Sequence, residues 1–551
     1  MKKGVILRTA VIVLVIIVSC PADILAWYND PKINTPAASK ININQFDHSA
    51  ISDGAGGSIV TWVEQVNNSD TEFDIYAQRL DGYGNPVWPE PVPVCTAPDF
   101  QGLPKIASDG VGGAIIVWHD SRGGFNLNFS NFDLYAQRIT ADGKIKWAVN
   151  GIPIVTSPEY QVYADIAPDG MGGAVISWDD GRNGNCQVFV QRVDKDGRTI
   201  WQENGVLVAD VPYDPFPFPF GETDSHLVSD GFGGAIVVWQ DQRELGNFDI
   251  YAQRIDRYGK RVWGDTGLPI ARVDGDQFHS NVISDGLGGA IFSWTDDRSG
   301  ENNFDIYAQK VNSTGKILWP LQGLPITQAP GSQGQNAMIS DGSGGAIIAW
   351  EDGRKNDGYS NIYAQRVSSE GALLWKSEGV EIAATDLIQI SPSLIPDGSG
   401  GAFITWMDFY RGGTWWNIYA QYIDGSGQIK WNQNGLPVCT ADYNQADPAI
   451  VSDGAGGVVI FWFDGRTGGY YNIYAQQVDR RGLLGGGEFR FYAADTDGNP
   501  KTTFAPGELI LFRSTWTMPA PSTPGEYQAG SGMVINSNTL YKEEFITYSV
   551  K

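Results

Sequence analysis

Acidic and basic side chains recur together at one position of this sequence, shortly after a tryptophan. The motif is Trp-x-Asp-x-Arg, and its charged members are Asp120/Arg122, Asp180/Arg182, Asp241/Arg243, Asp296/Arg298, Asp352/Arg354 and Asp464/Arg466. One related copy has Asp408 and Arg411, and another has only Glu64. Hydrolysis of a glycosidic bond needs a single pair of carboxyl groups. Because the same acid recurs in nearly every copy, we interpret these residues as structural ion pairs and predict no catalytic residue.

Glutamine recurs in the same way, seven residues before a glycine-rich turn. The residues at this position are Gln45, Gln101, Gln161, Glu222, Gln277, Gln333, Gln389 and Gln445. They form either a polar ring around a channel mouth or a repeated hydrogen bond between each side chain and a neighbouring loop. We favour the structural hydrogen bond, because almost every copy carries the same amide.

Aromatic residues break the repetition and are therefore the better candidates for ligand contacts. They are Tyr359, Trp415, Trp416, Tyr470 and Tyr471, together with Phe216, Phe218 and Phe220 in a proline-rich insertion. Exposed aromatic rings can stack on sugars or anchor a protein partner. The alternative is that they cover loop backbones.

Metal and cofactor sites are not indicated. His48, His226 and His279 lie at different offsets from their glycine turns, and the four cysteines form no Cys/His cluster, so we expect no metal and no cofactor. The formal net charge of −25 argues against binding nucleic acid or anionic lipid surfaces.

The glycine turns define an internal repeat. Eight copies begin at Ser52, Ser108, Pro168, Ser229, Ser284, Ser340, Pro396 and Ser452. Each copy predicts four strands: A before the turn, an apolar B after it, C at Tyr-Ala-Gln or its equivalent, and D. The Asp-Gly-x-Gly-Gly turn between A and B requires positive φ, which glycine adopts readily.

Two rows of tryptophan predict how the repeats pack. Strand B carries one in every copy, and strand D carries one in every copy except the eighth. Sheets with two apolar faces can bury both only by stacking in a ring. We therefore predict an all-β, eight-bladed β-propeller of four-stranded antiparallel blades over residues 27–487, with an N-terminal strand within residues 33–43 closing the last blade.

Short segments such as NSTGKILW (residues 312–319) and TADGKIKW (residues 140–147) resemble the Trp-docking repeat of eight-bladed quinoprotein-like propellers. The resemblance implies the same architecture. Quinoprotein alcohol dehydrogenases also use a pair of adjacent cysteines and a calcium ion. Adjacent cysteines are absent from this sequence, so no quinone cofactor is expected.

The chain ends carry further signals. Residues 1–26 read as a secretory signal peptide, and residues 17–20 (IVSC) resemble a lipoprotein box that would place a lipid on Cys20. Residues 488–551 resemble a small immunoglobulin-like β domain. We expect a secreted or cell-envelope protein that contacts membranes only through such a lipid.

We therefore interpret the chain as a monomeric, extracytoplasmic binding or scaffold propeller without catalytic activity. Its ligand would be a glycan or a protein, held on the face that bears the longer B–C and D–A loops. The alternative is a propeller enzyme similar to glycoside hydrolases or sialidases, because the glycine-turn hairpins resemble the sialidase Asp-box with a different spacing.

Overall fold

The computed structural model describes residues 27–485, apart from 39, 41, 68, 70, 125–130, 185, 212–222, 244–246, 301–302, 356–357 and 412–414, and the backbone of four strands beyond them. These residues form strands, turns and loops, with no helix among them. Accordingly, the described part of the chain has no helix suited to crossing a membrane. The predicted signal peptide, residues 1–26, and Cys20 within it lie outside the described residues.

The first thirty-two strands form eight antiparallel sheets of four strands each. An N-terminal strand, β1 (Thr35–Ala38), precedes the blades. Blades one to three are β2 (Gln45–Ser52), β3 (Ser58–Gln65), β4 (Phe73–Leu80), β5 (Val92–Cys95); β6 (Gln101–Ser108), β7 (Ala114–Asp120), β8 (Asp133–Ile139), β9 (Ile152–Val155); and β10 (Gln161–Pro168), β11 (Ala174–Asp180), β12 (Gln187–Val193), β13 (Val206–Leu207).

Blades four to eight continue the same order. They are β14 (His226–Ser229), β15 (Ala235–Asp241), β16 (Asp249–Ile255), β17 (Leu268–Ala271); β18 (Gln277–Ser284), β19 (Ala290–Asp296), β20 (Asp305–Val311), β21 (Leu324–Thr327); β22 (Gln333–Ser340), β23 (Ala346–Asp352), β24 (Asn361–Val367), β25 (Val380–Ala383); β26 (Gln389–Pro396), β27 (Ala402–Phe409), β28 (Trp416–Ile423), β29 (Leu436–Cys439); and β30 (Gln445–Ser452), β31 (Val458–Asp464), β32 (Asn472–Val478).

The eighth blade is completed from the other end of the chain. Its strand order is β1-β32-β31-β30, and β1 pairs antiparallel with β32 through Thr35 opposite Ala475 and Ala38 opposite Ile473. The pairing joins the first and last parts of the repeat region, so that the sheets close into a ring. The molecule is an eight-bladed β-propeller, which confirms the predicted fold class.

The core lies between neighbouring blades. All seven residues of β19 are buried, as a strand packed on both faces requires. Between blades four and five, one cluster combines Val238 and Trp263 of blade four with Phe292 and Trp294 of blade five. Seven of the eight strand B tryptophans are less than 2 % exposed. Burial of these large side chains between blades is the main force that holds the ring together.

A second tryptophan links each blade to the next through its indole N–H. Trp263 Nε1 donates to the carbonyl oxygen of Ser313 at 3.2 Å, and its ring lies against Gly315 in the C–D turn of the following blade. Trp88, Trp147, Trp201, Trp319, Trp375 and Trp431 do the same. At the remaining junction Trp27 takes this role: its Nε1 donates to Gly82 O at 3.0 Å, and its ring lies against Gly84. The N-terminal segment therefore supplies the tryptophan that the eighth repeat lacks.

Beyond the propeller, the strands β33 (Glu488–Ala494), β34 (Ile510–Thr517), β35 (Glu526–Asn536) and β36 (Thr539–Ser549) form one antiparallel sheet in sequential order. An immunoglobulin-like domain has two packed sheets. That assignment stays a prediction.

Candidate functional site

The antiparallel strand order divides the connections between two faces. A–B and C–D turns lie at one end of each blade, which we call the turn face, and B–C and D–A loops lie at the other end, which we call the loop face. Strand A of each blade packs beside strand A of its neighbours and is therefore innermost. Candidate sites can be placed on one face, on the other, or along the central channel.

The repeated glutamines are buried rather than displayed at the channel mouth. Gln277, Gln333 and Gln389 are inaccessible to solvent, and each donates its Nε2 hydrogen to a carbonyl of its own D–A loop at 2.6–2.8 Å. Gln101, Gln161 and Gln445 make similar bonds, whereas Gln45 donates to Glu64 Oε2. Glu222 lies outside the described residues. A ligand in the channel cannot reach these amides without displacing a loop.

The Trp-x-Asp-x-Arg motif forms one compact unit in each blade. Asp296 accepts a 2.7 Å hydrogen bond from Trp294 Nε1 and binds both Nε and Nη2 of Arg298. The Arg298 guanidinium lies 3.8 Å from the centre of the Tyr307 ring and also donates to the Gln322 carbonyl. Equivalent Asp–Arg pairs occur in the other five copies. In all six copies both carboxylate oxygens of the aspartate are hydrogen-bonded within the protein, so the motif positions the B–C and D–A loops.

The predicted aromatic residues divide into exposed and packed groups. Trp415 is 55 % exposed, and Tyr359 and Tyr471 are also exposed. Trp416, the first residue of β28, instead packs on Phe409 with ring centres 4.6 Å apart and joins the core between blades seven and eight. Tyr470 is half-buried. Phe216, Phe218 and Phe220 lie outside the described residues.

Two further exposed aromatic residues accompany Trp415 and were not singled out from the sequence. Tyr410 is 47 % exposed, and its ring centre lies 6.0 Å from that of Trp415. Tyr443 is 54 % exposed and lies over Gly468 in the B–C loop of blade eight. Its position, two residues before the repeated glutamine, is held by Asp99, Glu159, Gly275, Gly331 and Leu387 in five of the other blades. A tyrosine at this variable loop position is the signal that a comparison of the repeats could have used.

A second set of residues encircles the channel near the loop face. Seven of the eight strands A contain a β-bulge just after the glutamine position, and in every blade the residue two positions after it has a positive φ of 43–56°, which side chains rarely adopt. The eight residues, which we call the bulge ring, are Asp47, Leu103, Tyr163, Asp224, His279, Gln335, Ser391 and Asp447. Neighbouring members interact: the Nε2 atoms of His279 and Gln335 are 3.5 Å apart. Unlike the glutamines, these residues differ from blade to blade.

Burial and neighbouring charges shift the pKa values of several strand A residues around the channel. Burial and the nearby charge of Asp447 raise the pKa of Asp47 above its ordinary value. Burial by itself would lower the pKa of His226, but the carboxylates of Asp165 and Asp224, 3.6 and 3.5 Å from its ring nitrogens, raise it to about 10, so the imidazole is charged at neutral pH. Desolvation of the half-buried His48 ring lowers its pKa to about 4, so the imidazole is neutral at neutral pH. The described residues contain no group of three or more His, Cys, Asp or Glu side chains that could hold a metal ion.

Comparisons with known proteins add little beyond the architecture. No protein-family model matches the chain, and no curated protein matches it. A Dyadobacter fermentans protein of unknown function is similar in structure, with 10 % identity, a TM-score of 0.37, and coverage of 81 % of this chain and 97 % of that protein. The propeller domain of the Pyrococcus furiosus Trilobed protease has 10 % identity, a TM-score of 0.38, and coverage of 71 % and 99 %.

An α-L-arabinanase from Penicillium chrysogenum, solved with arabinobiose, has 13 % identity, a TM-score of 0.33, and coverage of 59 % of this chain and 94 % of the arabinanase. Such weak likenesses carry no argument about function. What this propeller does has to be argued from its own surface.

Proposed function

We propose that this protein is a non-catalytic, extracytoplasmic propeller that binds a neutral glycan through the loop face of blades seven and eight. The contact surface is the aromatic patch, which we define as Tyr410, Trp415, Tyr443 and Tyr471. The observation that supports it most directly is the exposure of Tyr410, Trp415 and Tyr443, each about half accessible to solvent on one arc of the ring. A single exposed aromatic ring needs no special explanation, but exposed aromatic rings grouped on one surface often mark a ligand-binding site.

The chemistry of the patch favours sugars. Stacking of the apolar face of a sugar ring on an aromatic ring removes apolar surface from water, which favours binding. Tryptophan and tyrosine side chains lose little conformational entropy in such a contact. The protein carries a net charge of −25, which would repel anionic polysaccharides. A neutral glycan is therefore the class of ligand that we propose.

The patch is held in place by its own loops. The backbone N–H of Tyr410 donates to the carbonyl of Trp415 at 2.7 Å, and Phe409 packs on Tyr410 with ring centres 4.4 Å apart. Beside them Tyr471 packs edge-on against Phe463. Such support lowers the entropy lost on binding. We propose binding without hydrolysis because the nearby acid Asp408 is buried beneath Trp406 and Arg411.

A glycan array of neutral plant and microbial polysaccharides tests the proposal with three proteins. Wild type is expected to bind at least one of these glycans, and Trp415→Ala is expected to weaken that binding about tenfold or more. Tyr258→Ala is the matched control, because Tyr258 is 66 % exposed in a C–D turn on the turn face. Its binding should equal that of wild type. Trp416 is unsuitable for this test because it packs in the core.

Failure of wild type to bind any neutral glycan, or equal binding by Trp415→Ala, would overturn the proposal. Release of sugar fragments from a bound glycan would replace it with the hydrolase alternative. Unchanged thermal unfolding of Trp415→Ala is required for the comparison to count as a binding effect.

A further inference from the structure

The turn face carries a second repeated ion pair, distinct from the Trp-x-Asp-x-Arg unit. In five blades the aspartate that opens the A–B turn binds an arginine of strand C in the same blade: Asp230 Oδ2 accepts hydrogen bonds from Arg254 Nε at 3.0 Å and Nη2 at 2.9 Å. The third nitrogen, Nη1, donates to the carbonyl of Ser313 in the next blade. The other pairs of this kind are Asp53–Arg79, Asp109–Arg138, Asp169–Arg192 and Asp341–Arg366.

Blade five departs from this arrangement. It carries Lys310 in place of the arginine, and Lys310 Nζ donates to the carbonyls of Gly344 and Ser369, at 2.7 and 3.4 Å, in blade six. Asp285 Oδ1 accepts the turn N–H groups of Leu287 and Gly289. Its Oδ2 has no side-chain donor among the described residues.

The other blades without this arginine still provide a donor for the aspartate. In blade seven, Tyr422 Oη donates to Asp397 Oδ2 at 2.9 Å, and in blade eight Gln477 Nε2 donates to Asp453 Oδ2 at 2.8 Å. Thus Asp285 differs from its counterparts in all seven of the other blades of the described propeller.

A cavity opens where the arginine is missing. Its volume is about 260 Å³, and it lies between the A–B turns of blades five and six, lined by Ser284, Asp285, Ile291, Ser340 and Gly344 among others. The next junction has an arginine in this space. At Gly400, which corresponds to Gly344, the Nη1 atom of Arg366 lies 2.7 Å from where a Cβ would stand, whereas at Gly344 the cationic atom within 4 Å is Lys310 Nζ, at 3.8 Å.

We propose that this cavity is a binding site for a guanidinium group supplied from outside the chain, on an arginine of a partner polypeptide or on a small guanidine. Five other blades already hold a guanidinium on the equivalent carboxylate, with Nε and Nη2 both donating to its Oδ2 atom. Lys310 Nζ binds carbonyl oxygens of blade six and does not reach Asp285, which lines the cavity. Planar two-point donation suits guanidinium better than ammonium, so the site should prefer arginine to lysine.

Isothermal titration calorimetry with methylguanidinium tests the site on the whole protein. Wild type is expected to bind one equivalent, and Asp285→Asn is expected to bind about tenfold more weakly, because a charge-assisted pair is lost. The decisive variant is Lys310→Arg, which restores the arrangement of five other blades and should fold well. Its own guanidinium should fill the cavity and abolish binding. Arg366→Lys should create a second site between blades six and seven.

Two results would overturn the proposal: no saturable binding to wild type, or unchanged affinity in Lys310→Arg. A short peptide with one arginine and its lysine counterpart form the second arm. Tighter binding of the arginine peptide than of methylguanidinium supports a polypeptide partner, and equal affinity supports a small guanidine. Equal affinity of the lysine peptide and the arginine peptide would contradict recognition of guanidinium. The site lies on the face opposite the aromatic patch, so its test is independent of glycan binding.

Discussion

Asp120 and Asp133 lie opposite each other on the neighbouring strands β7 and β8, so two carboxyl groups meet inside blade two. Arg122 binds Asp120, while burial and the charge of Asp120 raise the pKa of Asp133 from 3.8 to about 6. In blade six the same register places Asp352 opposite Asn361. The fold thus accepts either a carboxyl or an amide at this position.

This pairing predicts a pH-dependent effect of Asp133→Asn. The pKa of Asp133 is higher in the folded protein than its ordinary value. The stability that the protonated carboxyl contributes to the folded protein is therefore fully present below about pH 4 and is lost as the pH rises through about 6. The variant should therefore melt like wild type at pH 4 and about 1–2 °C higher at pH 8. Thermal unfolding followed by circular dichroism at both pH values measures this.

The reverse substitution, Asn361→Asp, is the matched control. It introduces the acid pair into blade six and should lower the melting temperature at pH 8 but not at pH 4. A shift of equal size at both pH values, in either variant, would contradict the electrostatic explanation.

The closure of the ring by Trp27 predicts that Trp27→Ala lowers the free energy of unfolding substantially. Trp27 is buried against Gly84 and bonded to Gly82 O, so truncation removes a packed indole from the junction of blades eight and one. Loss of a buried tryptophan costs about 3–5 kcal/mol. We expect a clear fall in the melting temperature, measured by differential scanning calorimetry.

Trp27→Phe distinguishes the contribution of ring packing to stability from that of the hydrogen bond at the same position. It keeps a ring on Gly84 but loses the N–H donor, and should cost only about 1 kcal/mol. If Trp27→Ala melted at the wild-type temperature, the junction would not depend on this side chain.

The Trp-x-Asp-x-Arg unit predicts that Asp296→Ala destabilises blade five. The substitution leaves the indole N–H of Trp294 and the guanidinium of Arg298 without their shared acceptor. Removing one partner of a buried ion pair typically costs about 3–5 kcal/mol. Urea unfolding followed by tryptophan fluorescence measures the loss.

Asp142→Ala is the control for that comparison. Asp142 pairs with Lys144 on the surface, where both side chains are mostly exposed. We expect no measurable change in its urea midpoint. A similar loss in the two variants would mean that the buried unit has no special role.

Alanine substitutions at two glycines distinguish the cost of backbone strain from the cost of a steric clash. Gly286 and Gly315 both have positive φ, 73° and 84°, but a Cβ at Gly286 would meet nothing within 4 Å, whereas one at Gly315 would lie 2.9 Å from the Trp263 ring. Gly286→Ala should cost about 1 kcal/mol, from strain alone. Gly315→Ala should lower the melting temperature further, and equal values would contradict the packing described here.

The sequence by itself determined the eight-bladed architecture, because the signals for it are local and repeated. Glycine pairs mark the A–B turns, apolar runs mark strand B, and a tryptophan recurs in each repeat. The same comparison also indicated that Asp296 and its counterparts are structural, since an acid that recurs in nearly every blade cannot define a single active site. The hydrogen bonds of Asp296 agree with that interpretation.

Only the tertiary structure decided which residue takes the missing tryptophan position and which aromatic residues stay open to ligands. Trp27 fills the eighth tryptophan position, and Lys40 binds Glu64 in the blade that lacks the repeated arginine. These two contacts do not follow from the local sequence pattern, because ring closure brings together segments with unrelated sequences. Trp415 is exposed and Trp416 packs on Phe409, although they are neighbours in sequence, because strand pairing turns adjacent side chains to opposite sides. Likewise Asp285 lines a cavity and lacks the arginine partner of its counterparts. The side chain at the arginine position, Lys310, binds a carbonyl oxygen of the next blade instead, and only the folded ring shows that this oxygen is within its reach.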